Sequence, residues 1–136
     1  MKRLTQLVCL LLVMALVLAV PAFAAEQASH FFVSHSCYLW EVSDSEFLVC
    51  FDVTAVGAMD VLGASEIKIQ RSADGVDWTT VATYYDYYGY NCSLHGDEIS
   101  YSNVSSGYYY RAKVTFHAEK GNGTGEYVDY TSSLHY

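Results

Sequence analysis

Ser45-Glu-Phe-Leu-Val-Cys-Phe-Asp-Val-Thr-Ala-Val56 alternates residue by residue. Phe47, Val49, Phe51 and Val53 fall on one face, and Leu48, Cys50, Asp52 and Thr54 on the other. A period of two marks a strand with one apolar and one mixed face. β-Branched and aromatic residues dominate the run, and these pack better on a pleated surface than along a helix. The stretch is read as a strand, and the rest of the chain is placed around it.

Upstream, Phe31 to Val42 is the expected partner, with Ser43-Asp44 as the turn. That turn sets Trp40 opposite Phe47, Tyr38 opposite Val49 and Cys37 opposite Cys50. Downstream, Gly57 to Gly63 reads as an irregular crossing in which Met59 and Leu62 plug the core. Ser65 to Arg71 alternates again, and Asp74-Gly75 marks a tight hairpin. A three-residue loop Ala73-Asp74-Gly75, with Gly75 left-handed, pairs Ile67 with Val81 and Arg71 with Asp77. Asp97 to Asn103 is a weaker strand and Gly107 to Ala118 a strong one. In the latter Tyr108, Tyr110, Ala112, Val114 and Phe116 are expected inside, and Tyr109, Arg111, Lys113, Thr115 and His117 outside. Gly121-Asn-Gly-Thr-Gly125 reads as a flexible hairpin loop before a closing strand over Glu126 to Leu134. The expected fold is all-β, a single antiparallel β-sandwich of about seven short strands, because one flat sheet of this composition would leave an apolar face wet.

The N-terminus has a different character. Met1-Lys2-Arg3 is basic, Leu4 to Val20 is apolar, and Pro21-Ala22-Phe23-Ala24 offers an Ala-x-Ala cleavage site. Residues 1–24 are expected to be a cleaved signal peptide and residues 25–136 the β-sandwich domain, a secreted, extracellular protein. Without Lys2 and Arg3, five basic side chains stand against 15 acidic ones, a formal charge of −10. Such a body repels phosphate backbones, which argues against a nucleic-acid partner. No second apolar stretch approaches the ~20 residues that span a bilayer, so no stable membrane anchor is expected after cleavage.

Two resemblances follow from the motifs. The segment Glu66-Ile-Lys-Ile-Gln-Arg-Ser-Ala-Asp-Gly-Val-Asp-Trp-Thr-Thr-Val-Ala-Thr83, followed by Gly107-Tyr-Tyr-Tyr-Arg-Ala-Lys-Val114, resembles a fibronectin type III domain. Tyr108 and Arg111 match that family's Tyr and Arg positions, whereas Ala112 stands where Val is usual. Gly57-Ala-Met-Asp-Val-Leu-Gly-Ala-Ser-Glu-Ile-Lys-Ile-Gln70, the Ser72-to-Val81 hairpin and the Gly107-to-Phe116 strand are together similar to small secreted proteins of Gram-positive, largely gut-dwelling bacteria. That family is a domain of unknown function, so the resemblance implies export and a β-sandwich but no reaction. Ser72-Ala-Asp-Gly-Val-Asp-Trp78 also resembles a single, one-residue-short Asp-box of sialidases, and is read as a turn.

Candidate sites are few. Tyr84-Tyr85-Asp86-Tyr87-Tyr88-Gly89-Tyr90 places five tyrosines in seven residues. Tyrosine offers a flat apolar face and a polar tip at low entropic cost. The segment is read as a binding loop for an extracellular glycan or protein, carried by Tyr84, Tyr85, Asp86, Tyr87, Tyr88 and Tyr90. The alternative is a wide strand whose alternate tyrosines cover the end of the sandwich. Past the signal three cysteines remain. Either Cys37 and Cys50 form a disulfide, leaving Cys92 free to oligomerise the protein, or all three are reduced apolar fillers. His30, His35, His95, His117 and His135 are scattered, with no metal-binding spacing, and no metal or cofactor is expected. No Gly-x-Ser-x-Gly elbow or phosphate-cradling loop is present, and no enzyme is expected. Asn91, Asn103 and Asn122, the only asparagines, all lie in Asn-x-Ser/Thr sequons.

The reading is therefore a secreted, non-catalytic binding module. Two alternatives stand behind it: a structural or adhesive extracellular protein, and a small hydrolase.

Overall fold

A computed structural model describes residues 30–136; the expected signal peptide lies outside them. Among the described residues the chain forms six antiparallel strands joined in one sheet: β1 (Phe32–Ser43), β2 (Glu46–Ser72), β3 (Thr79–Tyr101), β4 (Tyr109–Lys120), β5 (Gly123–Tyr130) and β6 (Leu134–His135). The order is β1-β2-β4-β5, with β3 on the other edge of β2 and β6 against the start of β4.

Two of these strands are very long, and each absorbs two of the short strands expected from the sequence. β2 runs straight through Gly57–Gly63, and β3 runs through the whole tyrosine-rich segment. The β2–β3 ladder slips by one residue between Ile69/Ala82 and Gln70/Thr80, and more widely between Thr54/Leu94 and Met59/Cys92. There Ala55–Ala58 of β2 lie across from Ser93 alone, and Asn91 of β3 is left-handed at φ 52°. Extra residues on one side of a ladder bend the sheet. Before the bend, β2 pairs with β1; beyond it, β2 pairs with β4 along the same edge.

The bend curls the sheet until its halves face each other. Phe47 meets Tyr110 with ring centroids 5.7 Å apart, Phe51 meets Phe116 edge-on at 6.1 Å, and His35 of β1 stacks on Tyr127 of β5 at 4.1 Å. Between the halves lie Phe47, Val49, Phe51 and Val53 from one side and Ile67, Ile69, Tyr110, Ala112, Val114 and Phe116 from the other, all buried. The inward faces assigned from alternation in β2 and β4 are thus the core, and Met59 and Leu62 are buried beside them.

Both expected registers are corrected. The first turn is Asp44-Ser45, with Ser43 opposite Glu46 and an irregularity between Glu41 and Ser43. Trp40 therefore faces Leu48, Tyr38 faces Cys50, and Cys37 faces Phe51. A one-residue slip exchanges the faces of a strand: Cys37 packs against the core, whereas Cys50 sits beside Tyr38 on the outer side. In the second hairpin Arg71 pairs with Thr79, Ile69 with Ala82 and Ile67 with Tyr84. The loop is longer than expected because it is built on side chains. Ser72 Oγ donates to Asp74 Oδ1 at 2.8 Å and accepts from the Gly75 amide at 2.8 Å. Asp74 Oδ1 accepts from the amides of Val76 and Asp77 at 2.9 Å each. Gly75 is left-handed, at φ 75°. Asp77 is thereby drawn into the loop, and Arg71 lies over the Tyr108 ring instead, at 4.5 Å.

The Gly121 region is tighter than a five-residue loop. Lys120 pairs with Gly123 across a two-residue turn, and the Gly121 amide donates to Asp60 Oδ2 at 2.7 Å. The closing strand is broken at Thr131, which is buried. Its hydroxyl accepts from the Ala112 amide at 2.9 Å and its own amide donates to the Ala112 carbonyl at 3.0 Å.

Candidate functional site

The tyrosine-rich segment is strand, not loop. Residues 84–90 of β3 pair with Val61–Ile67 of β2, and strict alternation would send every second tyrosine outward. Asp86 changes the count. It is left-handed at φ 65°, yet the β2–β3 register is unbroken from Ala64/Tyr87 to Glu66/Tyr85, so the two strands change facing together by one position, where the β2–β4 ladder slips between Ala64 and Glu66. Tyr84, opposite Ile67, and Tyr87, opposite Ala64, both pack against the core. Tyr85 and Tyr90 lie on the outer face, 62% and 65% exposed. Tyr88 is also outside, its ring 5.8 Å from that of His117. Of the six residues expected to bind, Tyr85, Asp86, Tyr88 and Tyr90 are thus open or partly open to solvent, while Tyr84 and Tyr87 are structural.

Gly63 and Gly89 make this stretch of sheet possible. A Cβ on Gly63 would lie 2.1 Å from the Tyr87 carbonyl oxygen. A Cβ on Gly89 would lie 2.7 Å from His95 Nδ1 and 2.9 Å from the Cys92 sulfur.

The outer tyrosines do not stand alone. Registers place Tyr85 in one row with Glu66, Thr115 and Val128, and Thr83 in the next with Lys68, Lys113 and Tyr130. Beyond that row the Arg111 guanidinium lies 4.6 Å from the Tyr130 ring and 4.3 Å from the Trp78 ring. Its Nε–H donates to Gln70 Oε1 at 2.8 Å, which fixes the plane of the group. Lys68 Nζ is 2.8 Å from Glu66 Oε1, and that carboxylate raises its pKa. At the other end of the face His117 lies 2.8 Å from Glu119 and 3.3 Å from Glu126. The result is an open sheet face carrying Tyr85, Tyr88, Tyr90, Tyr130 and Trp78, with polar groups between the rings. Only the tyrosine run was visible as a cluster in the sequence. Trp78 and Tyr130 join it through strand pairings that have no local signature.

The opposite outer face, on β1 and the first part of β2, carries Trp40 and Tyr38, both exposed. Beside them an open groove is lined by Tyr38, Cys50, Asp52, Gly96, Asp97 and Glu98. Its acids and single thiol present no paired nucleophile and base.

All three described cysteines are unbridged. Burial pushes the Cys37 thiol up to about 12, helped by Asp129 and Asp52. Burial also raises the Cys50 thiol. Among the described residues no three His, Cys, Asp or Glu side chains converge as a metal site. The three sequon asparagines are all exposed. No protein-family model matches the chain, and no curated protein matches it.

Proposed function

We propose that this protein is an exported, non-catalytic binding module that holds a polysaccharide against the outer tyrosine face of a β-sandwich. The observation that carries the reading is the placement of Tyr85, Tyr88 and Tyr90 on one open sheet face with Tyr130 and Trp78. Exposed aromatic surface is costly in water and accumulates where something covers it. The apolar faces of sugar rings match aromatic rings, and phenol and amide groups between them meet sugar hydroxyls.

Support for the sandwich comes from the two halves. Cut at the bend, β2 and β3 each become two segments, and the described sheet divides into three segments on one side of the core and four on the other, with β6 an addition. That is the division of a seven-strand sandwich of the fibronectin type III kind. The basic and apolar run over residues 1–24 supports export.

The test is affinity electrophoresis in gels containing soluble polysaccharides. Wild type is expected to be retarded by at least one polymer. Y85A/Y90A, altered only at exposed positions, is expected to run freely while melting within a few degrees of wild type. A wild type retarded by no polymer, or a double variant retarded as strongly, overturns the reading and favours the structural or adhesive alternative.

A further inference from the structure

Past residue 24 the chain has only five cations, and three of them, Lys68, Lys113 and Arg111, stand together on the tyrosine face. Lys68 and Lys113 are direct cross-strand partners. Like charges directly opposite each other weaken a sheet. Chance would scatter five cations over so acidic a body, where each could find a carboxylate. Lys120 does so, 3.7 Å from Asp60, and so does Lys68, 2.8 Å from Glu66. Lys113 and Arg111 do not: among the described residues neither has a carboxylate within ion-pair distance. The Arg111 guanidinium is also stacked against Trp78 and Tyr130, which holds it as a flat donor. Two uncompensated cations, Lys113 and the pre-positioned guanidinium of Arg111, thus lie among the rings of this face, beside the Lys68–Glu66 pair.

Resting on the binding reading above, we infer that the ligand of this face is an acidic polysaccharide. Its carboxylates or sulfates are held by Lys113, Lys68 and Arg111 while its rings lie on Tyr130, Tyr85 and Trp78. Charge complementarity selects the anion, and the rings select a sugar over an extended acidic peptide. A peptide that binds by adding a strand uses an open edge, and this surface is the face of the sheet, whose backbone groups are already paired along β2 and β4.

The experiment measures affinity for polygalacturonate (carboxylate), dextran sulfate (sulfate), neutral dextran and poly-glutamate by calorimetry at physiological salt. Wild type is expected to bind one or both acidic polysaccharides and neither control. K113T is expected to weaken that binding by about tenfold, the scale of one charge-assisted hydrogen bond, and K68T/K113T to weaken it further. The melting temperature of K113T should hold or rise, because the substitution relieves the Lys68–Lys113 repulsion, and this separates a ligand role from a structural one. K120T should bind as wild type. The carboxylate and sulfate arms show which anion is preferred.

Binding of neutral dextran, or acidic binding that K113T leaves intact, overturns the charge inference while the polysaccharide reading stands. Binding of poly-glutamate as tightly as the polysaccharides overturns the sugar assignment. Binding to nothing overturns both.

Discussion

Asp74 shows how a single side chain sets the shape of a hairpin. Its carboxylate accepts the amides of Asp77 and Val76 and the Ser72 hydroxyl, and these bonds lower its pKa from 3.8 to about 2. A carboxyl held down in the folded state stabilises it above the unfolded pKa, and that contribution fades as pH falls through the folded one. Part of the stability of wild type is therefore expected to be lost between about pH 4 and pH 2. D74N, which cannot change charge, should show a shallower fall over that window in acid melts followed by circular dichroism. An identical slope would mean the loop bonds contribute nothing. The cysteines yield a second expectation at this scale. Cys37 and Cys50 point to opposite faces of the sheet, and both thiols are held protonated by burial. Only the thiolate attacks, so both should react slowly with iodoacetamide in the folded protein at neutral pH. Intact mass should be the same with and without reductant, and a mass gain on reduction would refute the unbridged arrangement.

At the scale of the element, Thr131 takes the place of a strand residue. β5 ends at Tyr130, yet the Ala112 amide remains bonded, because the Thr131 hydroxyl accepts it in a buried setting. T131V keeps the shape and removes the acceptor, leaving a buried donor unmatched, which costs about 1–3 kcal/mol. Urea titration of T131V should show that loss with an unchanged m-value. Gly63 is the second such point. A methyl there meets the Tyr87 carbonyl inside a closed ladder, so G63A should destabilise by about 1–3 kcal/mol or more. If G63A melts as wild type, the close approach of β2 and β3 at the tyrosine segment is wrong. These elements also show what was legible beforehand. The core faces of β2 and β4 could be read because alternation is local: Phe47, Val49, Phe51 and Val53 declare themselves within one strand. The registers could not. Moving a turn from Ser43-Asp44 to Asp44-Ser45 changes every pair, and no neighbouring residue announces the move. The left-handed turn at Asp86 has no local signature either. Asp adopts that conformation more readily than most residues, but nothing in the segment distinguishes an Asp that does so. That turn, together with the slip of β2 between Ala64 and Glu66, sets which tyrosines are core and which are surface.

For the whole molecule the governing fact is a small cluster of cations on a body whose charge past residue 24 is −10. A polyanion approaching it feels two fields of opposite sign and different range. The repulsion sums over the entire body, whereas the attraction of Lys68, Lys113 and Arg111 acts at contact. Salt screens according to distance: the Debye length is roughly 30 Å at 0.01 M, 8 Å at 0.15 M and 3 Å at 1 M. At the lowest salt the summed repulsion reaches across the molecule and opposes binding. Near physiological salt that reach is shorter than the body while contact pairs still act. At 1 M the contact pairs weaken as well. Affinity for an acidic polysaccharide is therefore expected to rise and then fall as sodium chloride increases from 10 mM through the physiological range to 1 M. An ordinary basic binding face would instead give a monotonic decline. Y85A should lower the curve without moving its maximum, because it removes stacking and no charge. K113T should make the fall at high salt shallower, because one contact charge fewer remains to be screened. A monotonic fall in wild type would mean that the acidic body is too far from the ligand to matter, and that binding occurs away from the face bounded by Tyr85, Lys113 and Tyr130.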